Sequence, residues 1–345
     1  MRTLYRLLAV SFILLANLRS PAQSDAYSWS NNIPPRFQWN GNFGYCGEVS
    51  LISAGLYYGQ YVSQYEARAI ASKNAKQNKS GSQLLLGVND TYAAAQMHLN
   101  AVEWNTAAET NTDSFLAWVK QNVVNGYPVA IGIYTNEYLF YGNTSSAAGD
   151  PDYDHIVPVT GFSSNHPLTS TSYYSDDIIT FSDNGLWGNP SNPPYLFSYP
   201  AGSFQATRKE ANSKTGAIYS VTNDASNYGI AVTGVVDTDH DTLPVRVATN
   251  VNNEVPAIVD GSNTRPAPMP LTLTITVSGL KPGVIYNLYR YNNFTSVPDK
   301  QFNANANKAY ETWSINIDSG STYFMTESIS SDEIAAYRVV PASAP

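Results

Sequence analysis

The sequence predicts an α+β domain followed by an all-β sandwich domain, and three observations support this fold class. Helix-like and strand-like stretches fill the chain up to about residue 222, with helices first and strands later, as in α+β domains. Beyond that point come short alternating stretches, turn residues and prolines, with no good helical pattern until near the end. A chain of 345 residues is also long enough for two domains.

The chain therefore divides into three parts. Residues 1–24 have two arginines near the start, an apolar run from Leu7 to Leu15 and small residues near the end, which is typical of a cleaved secretory signal peptide. The apolar run is too short to span a bilayer, so we expect a secreted protein without membrane contact after cleavage. The α+β domain covers residues 25–222 and the sandwich covers residues 223–345. We expect residues 25–222 to fold and react alone.

Composition narrows the possible partners. The net charge is −8 and there is no lysine or arginine cluster, so we expect neither nucleic acid nor an anionic membrane as a partner. The 43% hydrophobic and 13% charged residues indicate buried cores rather than a disordered chain. Four Asn-x-Ser/Thr sites fit a secreted glycoprotein and are expected at the surface: Asn78, Asn89, Asn143 and Asn293.

Apolar spacing predicts the helices of the first domain. In residues 47–58, Val49, Ile52 and Leu56 recur at spacings of three and four and form one apolar face. Capping residues at the start and stop residues at the end indicate the positions of the other helices. The expected helices are 47–58, 65–75, 90–99 and one that is capped by Thr110 or Thr112 and stops at Gly126.

Strands are expected at residues 128–134, 155–162 and 178–182, with a surface loop at 135–153. In the second domain, residues 271–277 (LTLTITV) alternate apolar and polar side chains, as a half-buried strand does. The following stretch GLKPGVIYNLYRY resembles the tyrosine-corner turn of fibronectin type III and immunoglobulin-like sandwiches, with Tyr286 as the corner tyrosine.

The chain contains a single cysteine, Cys46, in the stretch 44-GYCGEVS-50. It stands where the first helix is expected to begin. Unpaired N–H groups and the helix dipole stabilise negative charge there, and the thiolate is the nucleophilic form of cysteine. Gly47 is expected to leave the thiol open on one side. A lone cysteine can also be a buried apolar residue or a link to another chain, so its partners decide the interpretation.

A thiolate nucleophile needs a proton carrier, and the carrier needs a group that orients it. His155 begins the expected strand DHIVPVTGF, directly after a polar loop. The next expected strand, IITFSDNG, ends in Asp183 and Asn184, and either side chain can orient the ring. His98 is expected to be structural and His166 to be solvated.

Four stretches together resemble the papain-like cysteine peptidases, and most of all the branch that removes bacteriocin leaders after a double glycine: GYCGEVSLISAGLYYG, FLAWVKQNVVNGYPVAIGIY, DHIVPVTGF and IITFSDNG. The resemblance covers about residues 35–220. It implies a papain-like fold for the α+β domain, with Cys46 as nucleophile, His155 as general base and acid, and Asp183 as the orienting residue. Asn184 remains an alternative, because papain itself has an asparagine in this region.

The resemblance also implies an oxyanion-hole glutamine six positions before the cysteine. Asn40 holds that position here, and Gln38 stands eight positions before Cys46. Either side chain ends in an NH₂ group that can donate to an oxyanion together with the backbone N–H of Cys46. Gln38 is preferred, because the stretch GNFG can absorb two extra residues as a loop. Glu48 stands where the family often has a small residue, and its carboxylate is expected to oppose the thiolate.

These residues predict a secreted cysteine peptidase that cleaves peptide bonds of a protein or peptide substrate through a thioester acyl-enzyme. Two alternatives remain open. The same triad can transfer an acyl group to an amine, as in transglutaminases. The chain can also be a non-enzymatic binding or adhesion protein on a degenerate peptidase scaffold, with the sandwich as the working part.

No cofactor and no metal site are expected. The sequence has no G-x-S-x-G, no H-E-x-x-H and no phosphate-binding loop. The tract 237-DTDHDT-242 spaces its acids as calcium loops do, but it lacks the glycine and the final glutamate of an EF-hand. It is expected to be a solvated turn.

Overall fold

The computed structural model describes residues 27–136, 148–185, 196–213, 219–223, 226–251 and 256–343. The expected signal peptide and the expected glycosylation site Asn143 lie outside these ranges. Within them, no helix combines the length and the apolar content that a membrane crossing requires.

The helices of the described residues lie at or near the predicted positions. They are α1 (Cys46–Tyr57), α2 (Gln64–Ala71), α3 (Asp90–Gln96), α4 (Thr112–Val124) and α5 (Arg208–Ser213). The first four correspond to the predicted helices, with ends shifted by up to four residues. Helix α5 was not predicted, because its six residues RKEANS have no apolar face to read.

Helix α1 buries the face that its sequence predicts. Val49, Ile52 and Leu56 have no exposed surface, and each contributes about 1.5–3 kcal/mol when fully buried. The predicted cap of α4 is wrong: Asn111, between the two proposed threonines, accepts a 2.9 Å hydrogen bond from the Ser114 N–H. Asparagine is at least as good an N-cap as threonine, so Asn111 can take the role that was predicted for its neighbours. Gly126 follows α4 with a φ of 86°, as the predicted stop.

The strands alternate with these helices and dominate the second half of the chain. They are β1 (Tyr27–Ser30), β2 (Gln60–Tyr61), β3 (Leu99–Glu103), β4 (Val129–Thr135), β5 (His155–Ser164), β6 (Ile178–Ser182), β7 (Leu196–Pro200), β8 (Gln205–Ala206), β9 (Tyr219–Thr222), β10 (Gly229–Val235), β11 (Val245–Thr249), β12 (Pro270–Ser278), β13 (Tyr286–Tyr291), β14 (Glu311–Ile315), β15 (Thr322–Ser330) and β16 (Ala335–Pro341). The predicted strands 128–134, 155–162, 178–182 and 271–277 correspond to β4, β5, β6 and β12.

One large sheet carries the first part of the chain. Its order is β3-β10-β4-β5-β6-β7, and β1 joins β5 while β9 joins β4 and β8. The pairs are antiparallel except for β8 with β9. Helix α1 packs on β5, and α4 packs on the same strand. The mixed α/β class with antiparallel sheets agrees with the prediction of an α+β domain.

This sheet extends past the predicted boundary between residues 222 and 223. Strand β10 follows that boundary, yet it pairs with β3 on one side and β4 on the other. Ile230 in β10 is opposite Glu103 and Ala130. A cut at residue 222 therefore removes an interior strand of the first sheet.

The second part of the chain contains two antiparallel sheets, an arrangement compatible with the predicted sandwich. Their orders are β11-β12-β15 and β14-β13-β16-β2. In β12, Leu271, Leu273, Ile275 and Val277 are buried and alternate with more exposed residues, as their spacing predicts. The Oη of Tyr286 accepts a 3.0 Å hydrogen bond from the Lys281 N–H, which is the backward bond of a tyrosine corner.

The two parts share one hydrophobic core. Leu56 and Tyr61 from the first part belong to the same buried cluster as Leu273 and Tyr337 from the second. Strand β2 completes the second sheet by pairing with β16. Packing of this extent couples the stability of the two parts.

Candidate active site

Cys46 is the first residue of α1, as predicted. It is half-buried and has no disulfide partner. The residue before it, Tyr45, provides no side-chain cap for the first N–H groups of the helix. Cys46 therefore lies at the positive end of the helix dipole.

Gly47 has a different role from the predicted one. A Cβ at this position would lie 2.0 Å from the Leu84 carbonyl oxygen and 3.1 Å from Cδ1 of Ile156. Glycine is needed here because the backbone at Leu84 and the strand β5 approach α1 too closely for any side chain. The close packing fixes the helix start against the strand that carries His155.

His155 begins β5 and faces the end of β6. The two strands are antiparallel, with Val159 opposite Phe181 and Phe162 opposite Ile179, so the start of one lies beside the end of the other. Nε2 of His155 is 3.0 Å from Oδ1 of Asp183, the residue that follows β6. The sheet register thus brings together two residues that are 28 positions apart.

The charge state of His155 follows from its contacts. Burial alone lowers the pKa of the ring, but the Asp183 carboxylate and a hydrogen bond to Cys46 outweigh burial and raise it to about 10. Because Asp183 engages Nε2, Nδ1 is the nitrogen left for the thiol. The ring is protonated at neutral pH and lies between a thiol and a carboxylate.

Asp183 is held by two further donors. The Tyr219 hydroxyl donates to Oδ2 at 2.5 Å, and the Gly185 N–H donates to Oδ1 at 2.6 Å. Burial raises the pKa of this carboxyl, but the charge and hydrogen bond of His155 and the bonds from Tyr219 and Gly185 lower it overall. Asp183 is therefore ionised in the neutral range and fixed in orientation.

Asn184, the alternative orienting residue, points elsewhere. Its Nδ2 is 3.1 Å from the Ile156 carbonyl, 3.1 Å from the Ser50 hydroxyl and 3.2 Å from the Cys46 carbonyl. The side chain is buried, with 2% exposure. Asn184 links the start of α1 to β5 through these three hydrogen bonds, none of which involves His155.

Gln38 lies at the site, while Asn40 is exposed. The Gln38 N–H donates to the Asn184 carbonyl at 2.9 Å. A Cβ at Gly185 would lie 3.3 Å from Nε2 of Gln38 and 3.4 Å from Nε2 of His155, and a Cβ at Gly44 would lie 3.7 Å from the same amide nitrogen. The Gln38 amide thus stands between the histidine–aspartate pair and the loop that leads into Cys46.

Glu48 does not face the thiol as expected. Its Oε1 accepts hydrogen bonds of 2.6 Å from Arg68 and 3.0 Å from the Leu84 N–H. Both charged side chains are buried, at 0% and 1% exposure. Sequence reasoning missed this pair, because a single arginine in a helix twenty positions away carries no signal of its partner.

Tyr219 was also missed. It stands in β9, whose pairing with β4 follows from the tertiary structure and not from a local pattern. The only signal in the sequence is the apolar and aromatic character of the short stretch YSVT, which does not identify a partner for Asp183.

Cys46 borders a cleft of about 560 Å³. Its walls include the aromatic side chains of Phe43, Tyr153 and Tyr228 and the carboxylates of Asp150 and Asp152. Clefts of roughly 300–1,000 Å³ accommodate small molecules or a few residues of a peptide. Cys46 therefore borders a space of the size that a small substrate requires.

The other predicted sites have structural contacts. Nδ2 of Asn89 donates to the carbonyls of Ala71 and Gln83, and Nδ2 of Asn78 donates to the Gly261 carbonyl. At Asn293, Nδ2 contacts the exposed side chain of Asn292, so among these three it is the one best placed for a glycan.

The acidic tract forms a turn around its first aspartate. Asp237 accepts hydrogen bonds from the backbone N–H groups of His240 and Thr242 and from the Thr242 hydroxyl. Over the described part of the chain, no group of three or more His, Cys, Asp or Glu side chains is arranged to hold a metal ion.

No protein-family model matches the chain, and neither the curated proteins nor the solved structures contain a significant match.

Proposed function

We propose that the chain is a papain-like cysteine peptidase, a thiol hydrolase that cleaves peptide bonds. The observation that carries the proposal is the alignment of Cys46, His155 and Asp183. A thiol at a helix start helps to raise the pKa of a ring whose Nε2 is 3.0 Å from a buried carboxylate. This is the geometry that activates a thiol nucleophile in other hydrolases.

The proposed reaction begins with a thiolate–imidazolium pair. The Cys46 sulfur attacks the scissile carbonyl carbon and forms a C–S bond, and the carbonyl oxygen becomes an oxyanion. The Gln38 amide and the Cys46 N–H stabilise that oxyanion. His155 protonates the leaving amine as the C–N bond breaks, and a thioester remains on Cys46.

Water completes the cycle. His155, now neutral, removes a proton from a water molecule that attacks the thioester carbonyl. The C–S bond breaks, the carboxylic acid leaves, and the proton returns the pair to its first state. Asp183 keeps the ring oriented and stabilises its positive charge throughout.

The finer fold assignment belongs to the same proposal. Helix α1 against β5, with the histidine and the acid on successive strands, supports a papain-like first domain. The two antiparallel sheets β11-β12-β15 and β14-β13-β16-β2 support a β-sandwich as the second. Export is proposed from residues 1–24, whose composition is that of a signal peptide.

Covalent labelling tests the proposal. The chain from residue 25 onwards is treated with an epoxide or vinyl-sulfone probe, and the modified residue is mapped by mass spectrometry. We expect labelling at Cys46 that is lost in His155→Ala and kept in His166→Ala, because the His166 ring contacts Asp176 and Tyr174 and not Asp183. Equal labelling of both histidine variants would refute the proposal, since the thiol would then react without its proton carrier.

A further inference from the structure

The loop that leads into Cys46 has an unfavourable backbone conformation. Asn42, Phe43 and Gly44 have φ values of 48°, 71° and 84°. Asparagine and glycine tolerate the left-handed region, but it is unfavourable for a bulky residue such as Phe43. Contacts outside the loop must therefore hold it in place.

Part of the support comes from α2. The Arg68 guanidinium donates to the Asn42 carbonyl at 2.8 Å and to the Gly44 carbonyl. It also lies 3.5 Å from the centre of the Tyr45 ring. Arg68 itself is fixed by its pair with Glu48, so one buried cation binds two carbonyls of the loop.

The remaining support comes from the second part of the chain. Oδ1 of Asp260 accepts a 2.7 Å hydrogen bond from the Asn42 N–H. The Asn42 side chain accepts a 2.7 Å bond from the Gly261 N–H and donates a 2.8 Å bond to the Ser262 carbonyl. Asn42 is 2% exposed. Its N–H and both ends of its side-chain amide thus bind residues 260–262.

The same segment is anchored on both sides of these bonds. Ile258 is buried in a small apolar cluster with Trp39 and Tyr45. Beyond residue 262, the Asn263 carbonyl accepts a 2.8 Å hydrogen bond from the Tyr65 hydroxyl. Segment 258–263 is therefore fixed against the first part of the chain and is able to hold the loop.

We propose that segment 258–263 positions the oxyanion hole, with Asn42 and Asp260 as positioning residues. This inference rests on the proposed function. The loop that the segment holds carries Gly44, which lies against the Gln38 amide, and it ends at Cys46, whose N–H is the second donor. Release of the loop changes the distance between these two donors. The second part of the chain is then a structural component of the catalytic centre.

Two reagents separate oxyanion stabilisation from thiol reactivity. p-Nitrophenyl acetate acylates the thiolate through a tetrahedral oxyanion: the C–S bond forms, the ester C–O bond breaks and p-nitrophenolate leaves. Iodoacetamide alkylates the same sulfur by displacement of iodide, without an oxyanion. Cys46 is the only cysteine of the chain, so both rates report on one residue.

The variants are compared in the chain from residue 25 onwards. Asp260→Ala removes the acceptor for the Asn42 N–H, Asp260→Asn keeps an acceptor oxygen, and Asn42→Gly removes the side-chain bonds while tolerating the positive φ. Asp239→Ala is the matched control. Like Asp260, Asp239 is an exposed aspartate that accepts a hydrogen bond from a backbone N–H, here that of Gln301.

We expect Asp260→Ala and Asn42→Gly to lower the acylation rate at least about tenfold, since loss of one oxyanion donor costs roughly 100-fold or more and the loop is displaced rather than deleted. Alkylation is expected to change less than about twofold, and Asp260→Asn and Asp239→Ala are expected to keep both rates.

Three results would overturn the inference. One is an acylation rate within about threefold of wild type in both Asp260→Ala and Asn42→Gly. That result would contradict the inference but not the proposed function. Another is a parallel fall of acylation and alkylation, which assigns the segment to thiol ionisation or folding. The third is equal acylation rates for the folded wild-type chain and the same chain unfolded in urea. That result would contradict the proposed function as well.

Discussion

Nε2 of His155 lies 3.0 Å from Oδ1 of Asp183, and the other oxygen of that carboxylate accepts a 2.5 Å hydrogen bond from Tyr219. The three side chains come from the start of β5, the end of β6 and the start of β9. The antiparallel sheet therefore determines both the orientation and the charge of the histidine. Most of the predictions below change one member of this chain of contacts.

The first prediction separates Asp183 from Asn184. Asp183→Ala removes the carboxylate that orients the ring, so we expect a fall in kcat of about 100-fold or more. Asn184→Ala removes bonds to α1 and β5, so we expect a smaller loss of kcat and a loss of stability on the order of 1–3 kcal/mol. Steady-state kinetics and urea unfolding of both variants check this. An equal or larger loss of kcat in Asn184→Ala would assign the orienting role to the asparagine.

The second prediction concerns the Tyr219 hydroxyl. Its hydrogen bond helps to lower the pKa of Asp183, so Tyr219→Phe should raise that pKa and shift the acid limb of the labelling rate to higher pH. The control is Tyr61→Phe, which removes a buried 2.8 Å hydrogen bond from a tyrosine hydroxyl to the Ser331 carbonyl. Tyr61 lies in β2, which belongs to the sheet β14-β13-β16-β2. We expect each variant to lose about 1 kcal/mol of stability. A shift of equal size in both variants would contradict the role of Tyr219.

The third prediction is a pH dependence of stability. The folded pKa of His155 is raised from its ordinary value of 6.5 to about 10, so the stabilisation is fully present below about pH 6.5 and is lost as the pH rises towards 10. Each pKa unit corresponds to about 1.4 kcal/mol. The unfolding free energy of wild type relative to His155→Gln should therefore fall between pH 6.5 and 9.5.

Urea unfolding at several pH values measures this difference, in which groups that do not interact with His155 cancel. A difference for His155→Gln that is flat or rises with pH would contradict the contact with Asp183.

The fourth prediction concerns a fragment of residues 25–222. The sequence alone predicts that it folds, but the structure leads to the opposite expectation, because β10 is absent and β3 and β4 lose their common neighbour. The cut also exposes Leu56 and Tyr61, which pack in the shared core. Thermal unfolding should show no cooperative transition for the fragment and one for the full chain. A soluble fragment that unfolds cooperatively and still reacts at Cys46 would contradict this account.

Local patterns predicted the elements well where one strand or helix face decides burial. The alternation in residues 271–277 predicted the buried face of β12, and the spacing of Val49, Ile52 and Leu56 predicted that of α1. The sequence predicted that His155, at the start of one strongly apolar strand, lies beside the end of the next, but it did not separate Asp183 from Asn184.

Long-range contacts could not be predicted in this way. The stretch GIAVTGV reads as a strand, but nothing local indicates that β10 inserts between β3 and β4. Glu48 was expected beside the thiol because the sequence gives no indication that Arg68 binds its carboxylate. Gly47 was expected to leave the thiol open, but glycine is required there because the Leu84 carbonyl oxygen lies too close for a side chain. In each case the partner comes from a distant part of the chain, and only tertiary packing selects it.

The most direct measurement of the central claim uses a mixed library of synthetic peptides in ¹⁸O-enriched water, incubated with the chain from residue 25 onwards and analysed by mass spectrometry. We expect new peptides whose C-terminal carboxyl carries ¹⁸O, together with an acyl adduct on Cys46 in acid-quenched protein, and neither product with Cys46→Ala. Cleavage by Cys46→Ala at the wild-type rate would contradict the account. So would a folded wild-type chain that neither cleaves any peptide nor forms an acyl adduct.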